Sequence, residues 1–211
     1  MKKVILSLVV IASVLTACKG EKKEEVAVTE EVKVEVQELK NNLDVEASVL
    51  TWKGNKPTGS HDGVVSLKEG NLTVVNGVLT SGEFVIDMNS ITNLDMKGSD
   101  GAGKLEGHLK NADFFDVEKY PTSKFVITSV AKGENALNVT GNLTIKDVTK
   151  SITIPATVSE NEGAVTFKSE KFKINRADFN IKYGSKSFFD NLKDKFIDDL
   201  MEMSFEVKTK A

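Results

Sequence analysis

The 211-residue sequence predicts a mainly β fold: about eight antiparallel strands closed into a barrel, with one short helix as a lid. Three observations carry that expectation. Apolar and polar residues alternate with period two in short runs between residues 45 and 209, so each run has one dry and one wet face. Turn-forming sequences separate the runs, among them Asn76-Gly77, Lys132-Gly133-Glu134-Asn135, Lys146-Asp147 and Glu160-Asn161-Glu162-Gly163. Only one segment, Gly103 to Asn111, reads as helix, with Leu105 and Leu109 on one face. Antiparallel strands with one solvated face must pack as a sandwich or close on themselves. Closure removes exposed edges, and about eight strands leave an interior able to hold one small ligand.

The elements follow in order along the chain. Met1-Lys2-Lys3 is a short basic start, and Val4 to Leu15 is an apolar run of 12 residues. Such a run is too short to span about 30 Å of hydrocarbon, but it suits a secretory signal. It ends at Leu15-Thr16-Ala17-Cys18, which resembles the lipobox of bacterial lipoproteins, whose cysteine is lipidated and heads the mature chain. Residues 1–17 are expected to be a lipoprotein signal peptide and Cys18 the lipidation site, with the membrane a partner through that anchor. An ordinary signal peptide with a chance cysteine is the alternative. Lys19 stands where an Asp would mark inner-membrane retention in enteric bacteria. By that analogy the protein belongs at the outer membrane of the cell envelope, on its periplasmic or its surface side.

Residues 18–42 then form the lipidated cysteine and its tether. Residues 19–42 hold five Lys and seven Glu and no aromatic residue. So charged a segment buries too little apolar surface to offset the entropy of ordering it. It would reach roughly 80 Å at full extension and about 25–30 Å as a coil. The barrel domain is expected over residues 43–211. Within it Phe84, Ile86 and Met88 share one parity, as do Phe125 and Ile127. Leu137, Val139, Leu143 and Ile145 alternate with polar neighbours, and so do Ile152, Ile154, Ala156 and Val158. Val165 and Phe167 follow, and Met201, Met203, Phe205 and Val207 end the series. Phe114-Phe115, just past the helix, is an apolar pair suited to plugging one end.

Composition excludes several function classes. Lys and Arg number 28 against 31 Asp and Glu, a net charge of −3, so there is no electrostatic case for nucleic acid as partner. One Cys allows no intramolecular disulfide and no Cys-rich metal site, and two His leave little for a catalytic metal. Gly98 to Lys104 matches the spacing of a phosphate loop, but Leu105 replaces the Ser or Thr that would ligate magnesium, and no βαβ context surrounds it. No nucleophile elbow and no zinc-protease motif occurs. Asp198-Asp199 reads as a solvated or capping pair next to a strand. No cofactor, metal site or catalytic residue is therefore expected. His61 and His108 carry the rival reading, a hydrolase, for which no spacing picks out an acid partner.

Three blocks of residues are more specific. His108 to Pro121 (HLKNADFFDVEKYP) joins a helix end, an aromatic pair and a Tyr-Pro lead-in to a strand. Gly141 to Lys150 (GNLTIKDVTK) reads as a hairpin, and Phe172 to Phe179 (FKINRADF) follows in the same order. Together they resemble the YceI-like family of polyisoprenoid-binding lipoproteins and periplasmic proteins, over about residues 43–209. Family members usually carry Gly after the Asp-Phe pair, where this chain has Asn180, a residue that tolerates left-handed backbone. Trp52-Lys53-Gly54 and Gly59-Ser60-His61-Asp62-Gly63 differ from the commoner family opening.

The resemblance implies an extended, lipocalin-like barrel around a long apolar channel. Its partner would be a long-chain isoprenoid or other amphiphilic lipid, bound by one domain or by a homodimer, with no covalent chemistry. Expected lining residues are Phe84, Ile86, Phe125, Ile127, Val139, Phe167, Phe172, Met203 and Phe205, with Phe114 and Phe115 at the mouth. Core packing gives the same inward alternation in a filled barrel, so a ligand-free interaction module is the second reading. Trp52 fits either place. Arg176 and Asp178 read as a charge pair in an apolar strand block. Arg176 either meets a pyrophosphate or other polar head group, which a guanidinium fork suits, or makes a structural salt bridge at the rim. His61 is open in the same way.

Overall fold

The computed structural model describes residues 38–210, with side chains from residue 42 onward. The expected signal peptide, Cys18 and most of the expected tether lie outside the described residues. Alternation in the sequence becomes nine antiparallel strands. The first three are β1 (Glu38–Lys56), β2 (Gly59–Val75) and β3 (Val78–Asn93). After helix α1 (Asp100–Lys110) come β4 (Thr122–Lys132), β5 (Leu137–Ile145) and β6 (Val148–Asn161). β7 (Ala164–Ser169), β8 (Phe172–Asn175) and β9 (Leu200–Thr209) complete the sheet.

Each strand pairs with its neighbour in sequence order through β7, and β1 pairs with β9, which closes the sheet. β7 and β8 both lie against β9: Thr166–Lys168 face Glu206–Lys208, and Phe172–Asn175 face Leu200–Met203. They make one interrupted stave, so the nine strands form a barrel of eight staves, the number expected. At the interruption Ser169 Oγ accepts the Phe205 N–H at 2.9 Å in place of a backbone carbonyl. β1 begins before the boundary expected at Leu43, because residues 38–42 pair with Asn71–Val75 of β2.

Turn chemistry sets the hairpins. Asn76-Gly77 and Glu162-Gly163 take φ of 50° and 77°, and 51° and 85°, the left-handed pairs of a turn whose twist matches that of the strands. Along β5 and β6, Val139, Leu143, Ile145, Ile154 and Ala156 are buried, while Asn138, Asn142, Thr153 and Thr157 face water. All the strand pairings and the core from Leu43 to Val207 fall within residues 38–209, so this piece folds as a unit.

The two ends of the barrel differ. One carries the tight turns at Asn76-Gly77 and Glu162-Gly163. The other carries both long connections, α1 with residues 111–121 between β3 and β4, and residues 176–199 between β8 and β9. α1 starts a turn earlier than Gly103, because Ser99 Oγ caps it by accepting the Ala102 N–H at 3.3 Å. Gly101, Gly103 and Gly107 inside the helix weaken the pattern by which its first turn would be read.

Candidate functional site

The site begins with residues that alternate inward and stop short of filling the interior. A cavity of about 230 Å³ lies under α1, between the helix and the walls made by β1, β2, β3 and β9. A second, of about 80 Å³, shares Leu50, Ile86, Leu143, Ile174 and Met203 with it and continues toward Phe84, Phe125 and Phe205. Met201, Met203 and Phe205 are half-buried although their strand is paired on both sides, because they face this space.

Of the expected lining, Ile86 and Met203 border both cavities, and Phe84, Phe125, Phe172 and Phe205 border the smaller. Phe114 and Phe115 border the larger one, beside α1. Phe115 N–H donates to the Leu109 carbonyl at 3.1 Å and Val117 N–H to Lys110 at 2.9 Å, which folds the aromatic pair back onto α1. Ile127, Val139 and Phe167 border neither cavity. They are buried packing residues, and Phe167 stacks on Phe84 at 5.7 Å and packs at a tilt against Phe205 at 4.7 Å. Trp52 belongs to the larger cavity, its N–H bonded to the Val64 carbonyl at 3.2 Å and its apolar body turned to the space. Gly63 opposite permits this, since a Cβ there would come within 1.9 Å of the Thr92 carbonyl and 2.6 Å of the indole.

Arg176 corrects the charge pair expected from sequence. Its partner is Asp199, at 3.2 Å, and not Asp178, which is exposed and hydrogen-bonds Asn175 at 3.3 Å. The reason is local geometry: residues 176–179 form a 3-10 turn rather than a strand, ended by Asn180 with a left-handed φ of 58°, and the two side chains diverge. The fully buried guanidinium donates to the carbonyls of Asp198, Ile181 and Ile197 at 3.1, 2.9 and 2.9 Å and packs on the Phe114 ring. Burial lowers the Arg176 pKa, against the pull of Asp199 and Asp198. Burial also works against ionisation of Asp199, but hydrogen bonds from Ser187 and Ser185 and the charge of Arg176 outweigh it and lower its pKa. Arg176 touches the cavity wall, yet its donors are spent on holding residues 181–199 against the barrel end. The sequence reading of Asp198-Asp199 as a solvated or capping pair is corrected for Asp199, which is half-buried because the Arg176 guanidinium and the Ser185 and Ser187 hydroxyls converge on it.

His61 lies at the rim of the larger cavity with Nδ1 2.9 Å from Asp95 Oδ2. Partial desolvation opposes ionisation of Asp95, but hydrogen bonds from His61, the Asp62 N–H and Asn93 prevail and bring its pKa down to about 2. His108, on α1, borders the same cavity and packs edge-on against Tyr183 and Phe114, with centroids at 4.4 and 5.9 Å. Its Nε2 is buried without a hydrogen-bond partner. Neither histidine is hydrogen-bonded to a serine or threonine hydroxyl among the described residues, and no group of three or more His, Cys, Asp or Glu there could hold a metal ion. The arrangement surrounds an apolar space, with His61 at its rim.

Comparison with known proteins agrees with this architecture. A UPF0312 protein of Pseudomonas putida (strain W619) is 43% identical over 82 residues, 36% of this chain and 42% of that protein. Protein YceI of Escherichia coli O157:H7 is 40% identical over 80 residues, with the same two shares. The chain thus spans less than half the length of the curated relatives it matches. Among solved structures, BcnA of Burkholderia cenocepacia superposes with a TM-score of 0.63 at 24% identity, over 80% of this chain and 99% of that one. A polyisoprenoid binding domain from Saccharophagus degradans, implicated in plant cell wall breakdown, superposes at 0.58 and 18% identity, over 81% and 97%. At these identities the two structures bear on the fold. The family model described as the YceI-like domain matches residues 41–209, the closed barrel and its lid apart from the first three residues of β1, and the chain belongs to that family.

Proposed function

We propose that this protein binds a long-chain apolar amphiphile, a polyisoprenoid or a similar lipid, in its barrel and holds it without covalent chemistry. The observation that carries the reading is the pair of adjoining apolar cavities, about 230 and 80 Å³, walled by the inward face of the strands. Together they reach the lower end of the ~300–1,000 Å³ typical of small-molecule sites. A longer chain gains room by displacing Met201 and Met203, whose unbranched side chains re-pack easily. The polyisoprenoid binding domain from Saccharophagus degradans shares the fold and supports this ligand class.

In this reading Cys18 carries acyl chains, and residues 19–37 tether the barrel to the outer membrane of a bacterial cell envelope. The protein serves there in carriage, storage or stress protection. The test is native mass spectrometry with lipid extraction on the full chain, purified from a host that makes isoprenoids. A co-purifying long-chain species is expected, at one per protomer or per homodimer, and Met203→Trp, which fills the junction of the two cavities, should remove it. An apo mass for the native protein would overturn the reading.

A further inference from the structure

Residues 182–197, in the connection between β8 and β9, hold all three of the exposed large aromatic side chains of the described residues. Tyr183, Phe188 and Phe189 are 44%, 43% and 49% exposed, and Leu200, just beyond the loop, is 49% exposed. They do not hang from a loose tip. Phe188 and Phe189 N–H both donate to the Ser185 carbonyl, at 3.2 and 3.0 Å, and the hydroxyls of the buried Ser185 and of Ser187 donate to Asp199 at 2.8 and 2.6 Å. Asp199 is fixed in turn by Arg176. These bonds tie down the base of the loop, and the Phe188 and Phe189 rings are left half exposed to solvent.

The position is as informative as the exposure. Tyr183 packs on His108, and Ile197, which borders the larger cavity, donates its N–H to the Gly184 carbonyl at 2.8 Å. The loop therefore adjoins the end of the larger cavity bounded by His108 and Ile197. The same segment carries Lys182, Lys186, Lys193 and Lys195, against Asp190, Asp194 and the adjoining Asp198, in a chain whose net charge is −3. Lys182 Nζ lies 4.9 Å over the Phe188 ring and Lys186 Nζ 3.3 Å over Phe196, cations directly beside the apolar surface. Half-exposed aromatic rings among lysines suit the boundary between lipid headgroups and acyl chains, where rings enter and the cations stay at the anionic surface.

From this juxtaposition we infer that the 182–197 loop docks on the surface of an anionic bilayer, with Phe188 and Phe189 entering it, and so places the cavity-bearing end of the barrel against the membrane. The inference rests on the binding reading above for its purpose, which is loading: a water-insoluble chain then passes between bilayer and barrel without crossing water. The docking itself is tested separately.

The test uses residues 38–211, which lack the expected anchor, and vesicles of phosphatidylethanolamine and phosphatidylglycerol. The fragment should float with the vesicles, and Phe188→Ser with Phe189→Ser should weaken partitioning about 30-fold, each half-exposed ring contributing about fivefold. Val78→Ser, on the turn at the opposite end, should change nothing. Hydrogen exchange on the unsubstituted fragment needs no variant and should show residues 182–197 protected by vesicles. Equal flotation of native and doubly substituted fragments overturns docking, and so does unchanged exchange. A dimer lost on substitution with no vesicle effect would assign the patch to a second copy and overturn it as well. Loading from a polyisoprenol–cyclodextrin complex separates the two ideas: failure there removes the binding reading, while flotation still decides docking.

Discussion

Replacing Arg176 with Met keeps the length of the side chain and removes its charge and donors. The loss can be worked from its partners. Three carbonyls, of Ile181, Ile197 and Asp198, lose an N–H donor, and Asp199 loses its cation. Removing one member of a buried ion pair costs about 3–5 kcal/mol, and each buried carbonyl left unpaired about 1–3 kcal/mol. Asp199 keeps two hydroxyl partners and is 16% exposed, so water and serine recover part of this. The net loss should be about 4 kcal/mol. Trp52, the only tryptophan, reports unfolding in urea. With a slope near 2 kcal/mol per molar, the midpoint should fall by about 2 M at unchanged slope. Asp199→Asn added to Arg176→Met should cost little more, since the pair is already broken. A loss below about 1 kcal/mol would refute the structural role. Reduced ligand binding at unchanged stability would restore the head-group reading that the sequence left open.

Three further outcomes follow from the geometry. Asp95 has its pKa lowered from 3.8 to about 2, so its stabilisation is complete above the higher value and is lost as pH falls through the lower one. Asp95→Asn should cost about 1–2 kcal/mol at neutral pH, discounted for its partial exposure, and urea midpoints of variant and native protein should converge toward pH 2. Gly63→Ala forces a Cβ into the Thr92 carbonyl and the Trp52 ring and should cost about 1–3 kcal/mol, with a shift in tryptophan emission. Phe114→Ala removes a ring that is 4% exposed and packs on Arg176. It should cost about 3–5 kcal/mol in thermal unfolding while enlarging the cavity.

How far the sequence could be read depended on whether a property is local. Alternation in β5 and β6 was legible because each strand faces core on one side and water on the other. The hollow was not legible. Met203 and Phe205 in β9 alternate as a filled core would, and only the distance across the barrel distinguishes the two cases. Ile127, Val139 and Phe167 looked identical to Phe125 and Phe84 in pattern, yet they are buried away from both cavities. Arg176 was singled out correctly and given the wrong partner, because sequence proximity favoured Asp178 while the fold brings in Asp199 from the start of β9. Asn180 was readable, since its left-handed φ is a demand of the turn itself. The strand start at Glu38 was hidden in a charged segment whose pairing with β2 no local pattern announces.

The seam between β1 and β9 fixes the order of assembly. Leu43 pairs with Thr209 and Lys53 with Glu202, so the ring is completed only by contacts that join the beginning of the domain to its end. The hairpins from β2 to β7 can form early, from neighbours in sequence, but the ring waits for the last ten residues. Pairings of such long sequence separation form slowly. Until they do, β1 and β7 expose unpaired edges, which are templates for aggregation. A chain stopped before Leu200 should therefore emerge as a sticky open sheet, and late synthesis is the point at which this fold is most exposed to failure.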